Sequence, residues 1–185
     1  PGVSSDVESH VLECPTCSEA RPNPAEPLQT TAFPQFPWDA QSPDAKLIVA
    51  GMKPSQRVLD LRKRGNIDVT GFVEEMLPYY HEADIFIAPF QIARGVQNKI
   101  LQAFACGLPV VTTPIGAEGI DGVNEEHFLV AESPGHFAAQ IQRLVEQPEL
   151  YQRLSTAALK LINEEYLWEA KNRQLIDLVF SGAPD

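Results

Sequence analysis

From residue 46 onward, short apolar runs alternate with segments in which apolar and charged residues recur at helical spacing. "KLIVAG", "IDVTGF", "DIFIAPF", "PVVTT" and "HFLVA" read as five buried strands, short and mostly rich in β-branched residues. "SQRVLDLRKR" places Val58, Leu59 and Leu61 on one side and charges on the other, which predicts a helix capped by Ser55 and followed by Gly65. "EEMLPYYHEA" predicts a short helix broken or begun at Pro78, with Glu74 and Glu75 as favourable charges at its start. "VQNKILQAFACG" predicts a helix between the third and fourth strands, and "SPGHFAAQIQRLVEQ" one with Ser133 as cap and Pro134 in first position. Two more helical stretches follow, "PELYQRLSTAALKLINEEY" and "LWEAKNRQLIDLVFSG".

Strand and helix alternating with short connections predict an α/β fold, a Rossmann-like parallel sheet with helices on both faces. Ligands of such sheets bind beyond the carboxyl ends of the strands. Three glycine-containing turns fall there: "GMKPS", "FQIARG" and "TPIGAEGI".

Residues 1–45 break the pattern. They hold eight of the sixteen prolines, seven acidic residues and a single basic one, Arg21. Proline removes a donor and clashes inside a helix, so this stretch reads as an irregular extension. The expected division is 1–45, an irregular proline-rich segment, and 46–185, a Rossmann-like domain.

The chain of 185 residues is 44% hydrophobic and 21% charged, an ordinary globular balance. Its net charge of −11 argues against nucleic acid as a general partner, because phosphate backbones require a basic face. No apolar run is long enough to span a bilayer and the first residues lack the pattern of a signal peptide, so a cytoplasmic location is expected. Cys14 and Cys17 form one "CPTC" pair, half of a zinc site, with His10 as a third ligand at most, and no metal is expected. Cys106 falls in an apolar helical pattern and reads as core. His81, His127 and His136 lack partners at ligand spacing, the "RKR" of 62–64 suits a helix C-terminus, and Trp168 reads as a packing aromatic.

The chemistry gathers at "RGVQNKILQ". A helix starting just after Gly95 offers unpaired amides and a partial positive charge, which together bind phosphate. Gly95 lets a ligand approach the backbone, and Asn98, Lys99 and Gln102 are neighbours at three- and four-residue spacing. A phosphate near Gly95 would meet Lys99, and a hydroxyl-rich group further along would meet Gln102. A solvated polar helix start explains the same pattern more plainly.

"GVQNKILQAFACGLPVVTTPIGAEGI", with "VTGFVEEMLPYYHEADIFIAPF" upstream, resembles the donor-binding C-terminal domain of GT-B glycosyltransferases, in particular glycosyltransferase family 4 (group 1). The likeness covers residues 46 to about 178, and the "ARG-x-QNK" variant is most similar to bacterial members associated with exosortase/PEP-CTERM systems. It implies the C-terminal half of a GT-B fold and transfer of a sugar, with retention, from a nucleotide diphosphate sugar to a hydroxyl acceptor in polysaccharide or glycoconjugate synthesis. By the same resemblance Gln102 stands where a glutamate bonds the ribose hydroxyls, and Arg94 where another glutamate contacts the sugar. Gly95 and Val96 would offer amides to the distal phosphate, with Asn98 beside them, and Lys99 would neutralise the departing diphosphate. Thr70, Gly71 and Phe72 fall at the base-contacting turn, and Gly116 and Glu118 at the loop beside sugar and phosphates. Arg94 and Lys99 are thus the catalytic candidates. The donor sugar is substrate, and no cofactor or metal is implied. The partner implied is an N-terminal acceptor-binding domain, with peripheral membrane contact through it; alone the chain is expected to be inactive. Two alternatives stay open, a non-catalytic α/β binding module and a nucleotide-sugar epimerase on the same fold.

Overall fold

The computed structural model describes residues 45–180. Cys14, Cys17, His10 and the proline-rich segment before residue 45 lie outside them. The elements run β1 (Leu47–Ala50), α1 (Gln56–Leu59) continuing as a 3₁₀ turn (Asp60–Arg64), β2 (Ile67–Gly71), α2 (Leu77–Glu82) and β3 (Phe86–Ala88). Next come α3 (Asn98–Ala105), β4 (Val110–Thr112), α4 (Pro114–Ala117) and β5 (Leu129–Val130). Helices α5 (Pro134–Glu146) and α6 (Pro148–Leu161), a π turn (Ile162–Tyr166) and α7 (Trp168–Phe180) complete the order.

All strand pairs are parallel, as the alternating pattern requires. β4 shows why the second layer of helices exists. Successive strand residues point to opposite faces. Val110 packs with Ile100, Leu101 and Phe104 of α3 and Ala158 of α6, while Val111 packs with Ile141 and Leu144 of α5 and Leu154 of α6. Both valines are fully buried, each contributing about 1.5–3 kcal/mol through burial. A strand covered on both sides reads as an unbroken apolar run, which is the texture of "PVV".

The five strands form two ladders, β1–β2 and β3–β4–β5. This differs from a single continuous sheet: among the described residues no ladder joins β1 to β3. The first ladder is thinly covered, with Val69 its one fully buried residue among those described. Lys46 at the start of β1 pairs with Asp68 on β2 (3.9 Å) and Glu82 on α2 (3.5 Å), all exposed.

Four local expectations change, while the place of Pro78 at the start of α2 is as expected. Helix α2 begins at Leu77, with Pro78 in its first turn, where the missing N–H costs nothing. Glu74 and Glu75 therefore precede the helix, whose first turn carries no acidic residue. Ser55 holds the cap position of α1, but its side chain makes no capping bond there. The long C-terminal helical stretch changes to π winding at Ile162–Tyr166 and breaks at extended Leu167. Trp168, read as a packing aromatic, is 52% exposed at the start of α7. Ser133 does cap α5, accepting from the His136 amide at 3.2 Å, with Pro134 following it. Cys106 is buried in the core.

Candidate functional site

Helix α3 is fixed from below and open at its start. Ile100, Leu101, Ala103 and Phe104 are buried without exposed surface. Its C-terminal end is closed by Leu108 N–H donating to Ala103 O (2.9 Å) and by Ser155 Oγ of α6 donating to Gly107 O (2.6 Å). At the other end Gln97 holds the cap position with no capping side chain; its Nε2 donates backwards to Gly95 O at 2.9 Å. Ile100 N–H donates to Gln97 O (2.9 Å), and at the start of α3 the Asn98 and Lys99 amides have no acceptor among the described residues. Asn98 and Lys99 are exposed on that first turn, and Gln102, one turn later, is half-buried.

The turn ahead of the helix has an unusual backbone. Gly95 has φ of +64°, a conformation L side chains rarely adopt. Gly119 lies against it: a Cβ there would come within 3.4 Å of Gly95 C and of Val96 N. The turn after β3 and the loop after β4 therefore meet at their backbones, far apart in sequence but adjacent in space. Thr113 ties them again, its Oγ1 donating to Phe90 O at 2.8 Å while accepting from Gly116 N–H at 3.2 Å.

The structure brings together Arg94, Gly95, Val96, Asn98, Lys99 and Gln102 on one turn and helix, with Glu118 beside them through Gly119. Arg94, Gly95, Val96 and Glu118 are exposed. Gly116 sits apart from them in character. It is buried in α4, packed against Thr112 and Phe90, and its N–H already serves Thr113, so it supports the loop rather than offering a donor. Thr70, Gly71 and Phe72 close the other ladder, joined to β1 by Gly51 N–H donating to Gly71 O at 3.0 Å. Phe72 is 71% exposed there, and Ile92, in the turn after β3, is 81% exposed.

Two residues outside the expected set belong with the site. Tyr80 on α2 is buried, its ring 5.5 Å from that of Phe86, and its hydroxyl lies 3.3 Å from both Lys99 O and Gln102 Oε1. Burial, with a smaller effect of Cys106, pushes its phenol pKa well up, so it stays protonated. The signal was present: Met76, Leu77, Tyr80 and Ala83 recur at helical spacing, and a buried tyrosine hydroxyl seeks a partner. Tyr166, in the π turn, accepts from Asp121 N–H at 2.8 Å and fixes the loop after Gly119 to the C-terminal helices.

The far end of that loop is pinned by charge. Arg143 of α5 grips both carboxylate oxygens of Glu125 (2.8 and 2.9 Å), and Arg153 donates to Glu125 O at 3.3 Å. Glu125 has φ of +67°, a strained setting for a glutamate. The Arg143 hydrogen bond lowers the Glu125 pKa and raises that of Arg143. A carboxylate depressed in the folded state stabilises above its unfolded pKa and loses that contribution as pH falls through the folded value. The difference in melting temperature between the wild type and Glu125→Gln is therefore expected to be present at neutral pH and to vanish on acidification below the ordinary carboxylate range. The effect is small, because the pair is over a third exposed and screened. A difference that persists unchanged into strong acid would contradict the ion-pair account.

Comparison with known proteins gives this arrangement a family. Residues 29–147 match the family described as "Glycosyl transferases group 1", a match that starts upstream of the residue-46 boundary. The Bacillus subtilis (strain 168) protein named "Putative glycosyltransferase YtcC" is 29% identical over 136 residues, covering 65% of this chain and 33% of its own length. Among solved structures, Anabaena HepE in complex with UDP superposes with a TM-score of 0.64 at 16% identity, over 77% of this chain and 43% of HepE. The C-terminal domain of LpcC, a Glycosyl Transferase Group 1 family protein from Francisella tularensis, gives 0.59 at 22% identity, over 69% of this chain and 73% of that domain. The two structural likenesses establish the fold, the C-terminal half of GT-B type. The chain spans a third of YtcC and less than half of HepE. With well over half of its residues inside the family match, the chain belongs to the glycosyl transferases group 1 family.

Proposed function

We propose that this chain is the donor-binding domain of a retaining, hexosyltransferase-type enzyme that moves a sugar from a nucleotide diphosphate sugar to a hydroxyl acceptor. The observation that carries the reading is the meeting of Gly119 with the Gly95–Val96 backbone at the uncapped start of α3, one turn from Lys99. Open amides, the positive end of a helix and a lysine suit a diphosphate. HepE, the structural neighbour, holds UDP or UDP-glucose in its crystals, which supports a nucleotide sugar as the ligand class.

In this reading the acceptor hydroxyl oxygen bonds the anomeric carbon as its bond to the β-phosphate oxygen breaks, and the hydroxyl proton passes to the departing diphosphate. Lys99, Arg94 and the amides of Gly95 and Val96 stabilise the charge left on the diphosphate. Those groups take the place of a metal or other cofactor. Asn98 and Gln102 face the hydroxyl-bearing part of the donor, Glu118 borders the sugar, and Thr70, Gly71 and Phe72 border the base. The domain division at residues 45 and 46 goes with this reading, and so does an acceptor-binding domain as partner, through which the enzyme touches a membrane surface. The "ARG-x-QNK" variant supports a role in bacterial polysaccharide or glycoconjugate synthesis of the exosortase-associated kind, and a cytoplasmic place belongs to the same proposal.

Calorimetric titration of the chain with UDP-, GDP- and ADP-sugars tests the proposal. Saturable binding of one nucleotide class is expected. A folded sample that binds none, and gains none when the acceptor-binding half of such an enzyme is supplied, would overturn it.

A further inference from the structure

The polar side chains of α3 are not equally free. Lys99 and Asn98 are exposed, whereas Gln102 is half-buried and held through its Oε1, 3.3 Å from the Tyr80 hydroxyl. Tyr80 is fixed: its residue is 4% exposed, its ring packs on Phe86, and Met76 and Leu77 of the same segment pack against the same core. Its hydroxyl has one proton and two acceptors within reach, Lys99 O and Gln102 Oε1. A primary amide whose oxygen is held from behind presents its nitrogen forward. Gln102 Nε2 has no hydrogen-bond partner among the described residues, so two N–H donors remain for a ligand.

We infer that Tyr80 is a positioning residue for donor recognition: its hydroxyl fixes the Gln102 amide so that this position offers hydrogen-bond donors to ribose oxygens. The inference rests on the nucleotide-sugar reading above. It also reverses the polarity a glutamate would have at this position. A carboxylate accepts from ribose hydroxyls; the oriented amide donates to their oxygens. The loss of charge assistance is offset by orientation, since an amide free to rotate would spend part of its time presenting the wrong atom.

The test is a double-mutant cycle. The wild-type chain, Tyr80→Phe, Gln102→Ala and the double variant are titrated with UDP, GDP and ADP and, in parallel, with inorganic pyrophosphate. For the nucleoside diphosphate that binds tightest to the wild type, Tyr80→Phe is expected to weaken binding about three- to tenfold, the loss of one oriented hydrogen bond. Pyrophosphate, which has no ribose, is expected to bind both proteins alike, and Tyr80→Phe should add nothing in the Gln102→Ala background. Equal losses for nucleotide and pyrophosphate, additive losses in the double variant, or an unchanged nucleotide affinity would each overturn the positioning role alone. Absence of nucleotide binding by the folded wild-type chain, with none gained when the acceptor-binding half of such an enzyme is supplied, would overturn the nucleotide reading and this inference with it. Should Tyr80→Phe fail to fold, the Gln102 side-chain amide signals of the wild type decide the matter by NMR. They should move on adding the nucleotide and stay in place with pyrophosphate, and signals unmoved by both would overturn the inference.

Discussion

Replacing Lys99 by alanine is expected to weaken nucleoside diphosphate binding by about 10- to 100-fold, the range for losing one charge-assisted hydrogen bond to phosphate. Binding of the corresponding nucleoside should stay within a factor of about two, which is close to thermal energy. The fold should tolerate the change, because Lys99 is exposed on the first turn of a helix whose buried face is formed by other residues. Alanine is also the better helix former, so the melting temperature is expected to hold or rise slightly. Calorimetry with the diphosphate and the nucleoside in parallel separates the outcomes. Equal loss for both ligands would place Lys99 away from the phosphates. High salt should shrink the wild-type advantage, since an exposed charge pair is screened within about 10 Å at 0.1 M.

Phe104→Ala is expected to cost about 3–5 kcal/mol of stability, a large share of what a domain of this size has. Phe104 is fully buried, and its ring lies parallel to that of Phe128 with centroids 6.3 Å apart and planes 9° from each other. Phe128 sits at the end of the stretch that carries Gly119 back to β5, so this contact joins the buried face of α3 to the loop that meets its N-terminus. The truncation leaves a ring-sized cavity beside Phe128, and the surrounding strands and helices can close it only in part. Urea unfolding followed by circular dichroism measures the loss. A shift in midpoint equivalent to less than about 1 kcal/mol would mean the site collapses freely, contrary to the packing of native interiors.

Much of this was legible in the chain itself, for reasons specific to each element. "PVVTT" could be read because β4 is covered on both faces, so its residues needed no alternation. The buried side of α3 was visible in the spacing of Ile100, Leu101 and Phe104, and its exposed turn in the polar residues left over. Ser133 and Pro134 announced α5 because capping chemistry is local. Contacts between distant segments left no such mark. Nothing in the sequence placed Gly119 against Gly95, buried the Gly116 amide behind Thr113, or turned Tyr80 toward Gln102. Each depends on how two loops or two helices come together, which spacing within one segment does not encode. The same holds for the division of the sheet and for the π turn at Ile162–Tyr166.

The divided sheet bears on the order of events when a ligand arrives. Among the described residues, α3, β4 and the stretch up to β5 form the fully buried heart, whereas β1 and β2 add little to it beyond Val69. Segments with few buried contacts open at low cost, long before the whole chain unfolds. In the proposed reading, the wall facing the phosphates is therefore rigid before anything binds, while the wall bearing Thr70, Gly71 and Phe72 breathes. A nucleotide would anchor by its charged tail first. Its base would be gripped second, as the loose ladder settles, so the speed of capture would belong to α3 and the length of stay to β2.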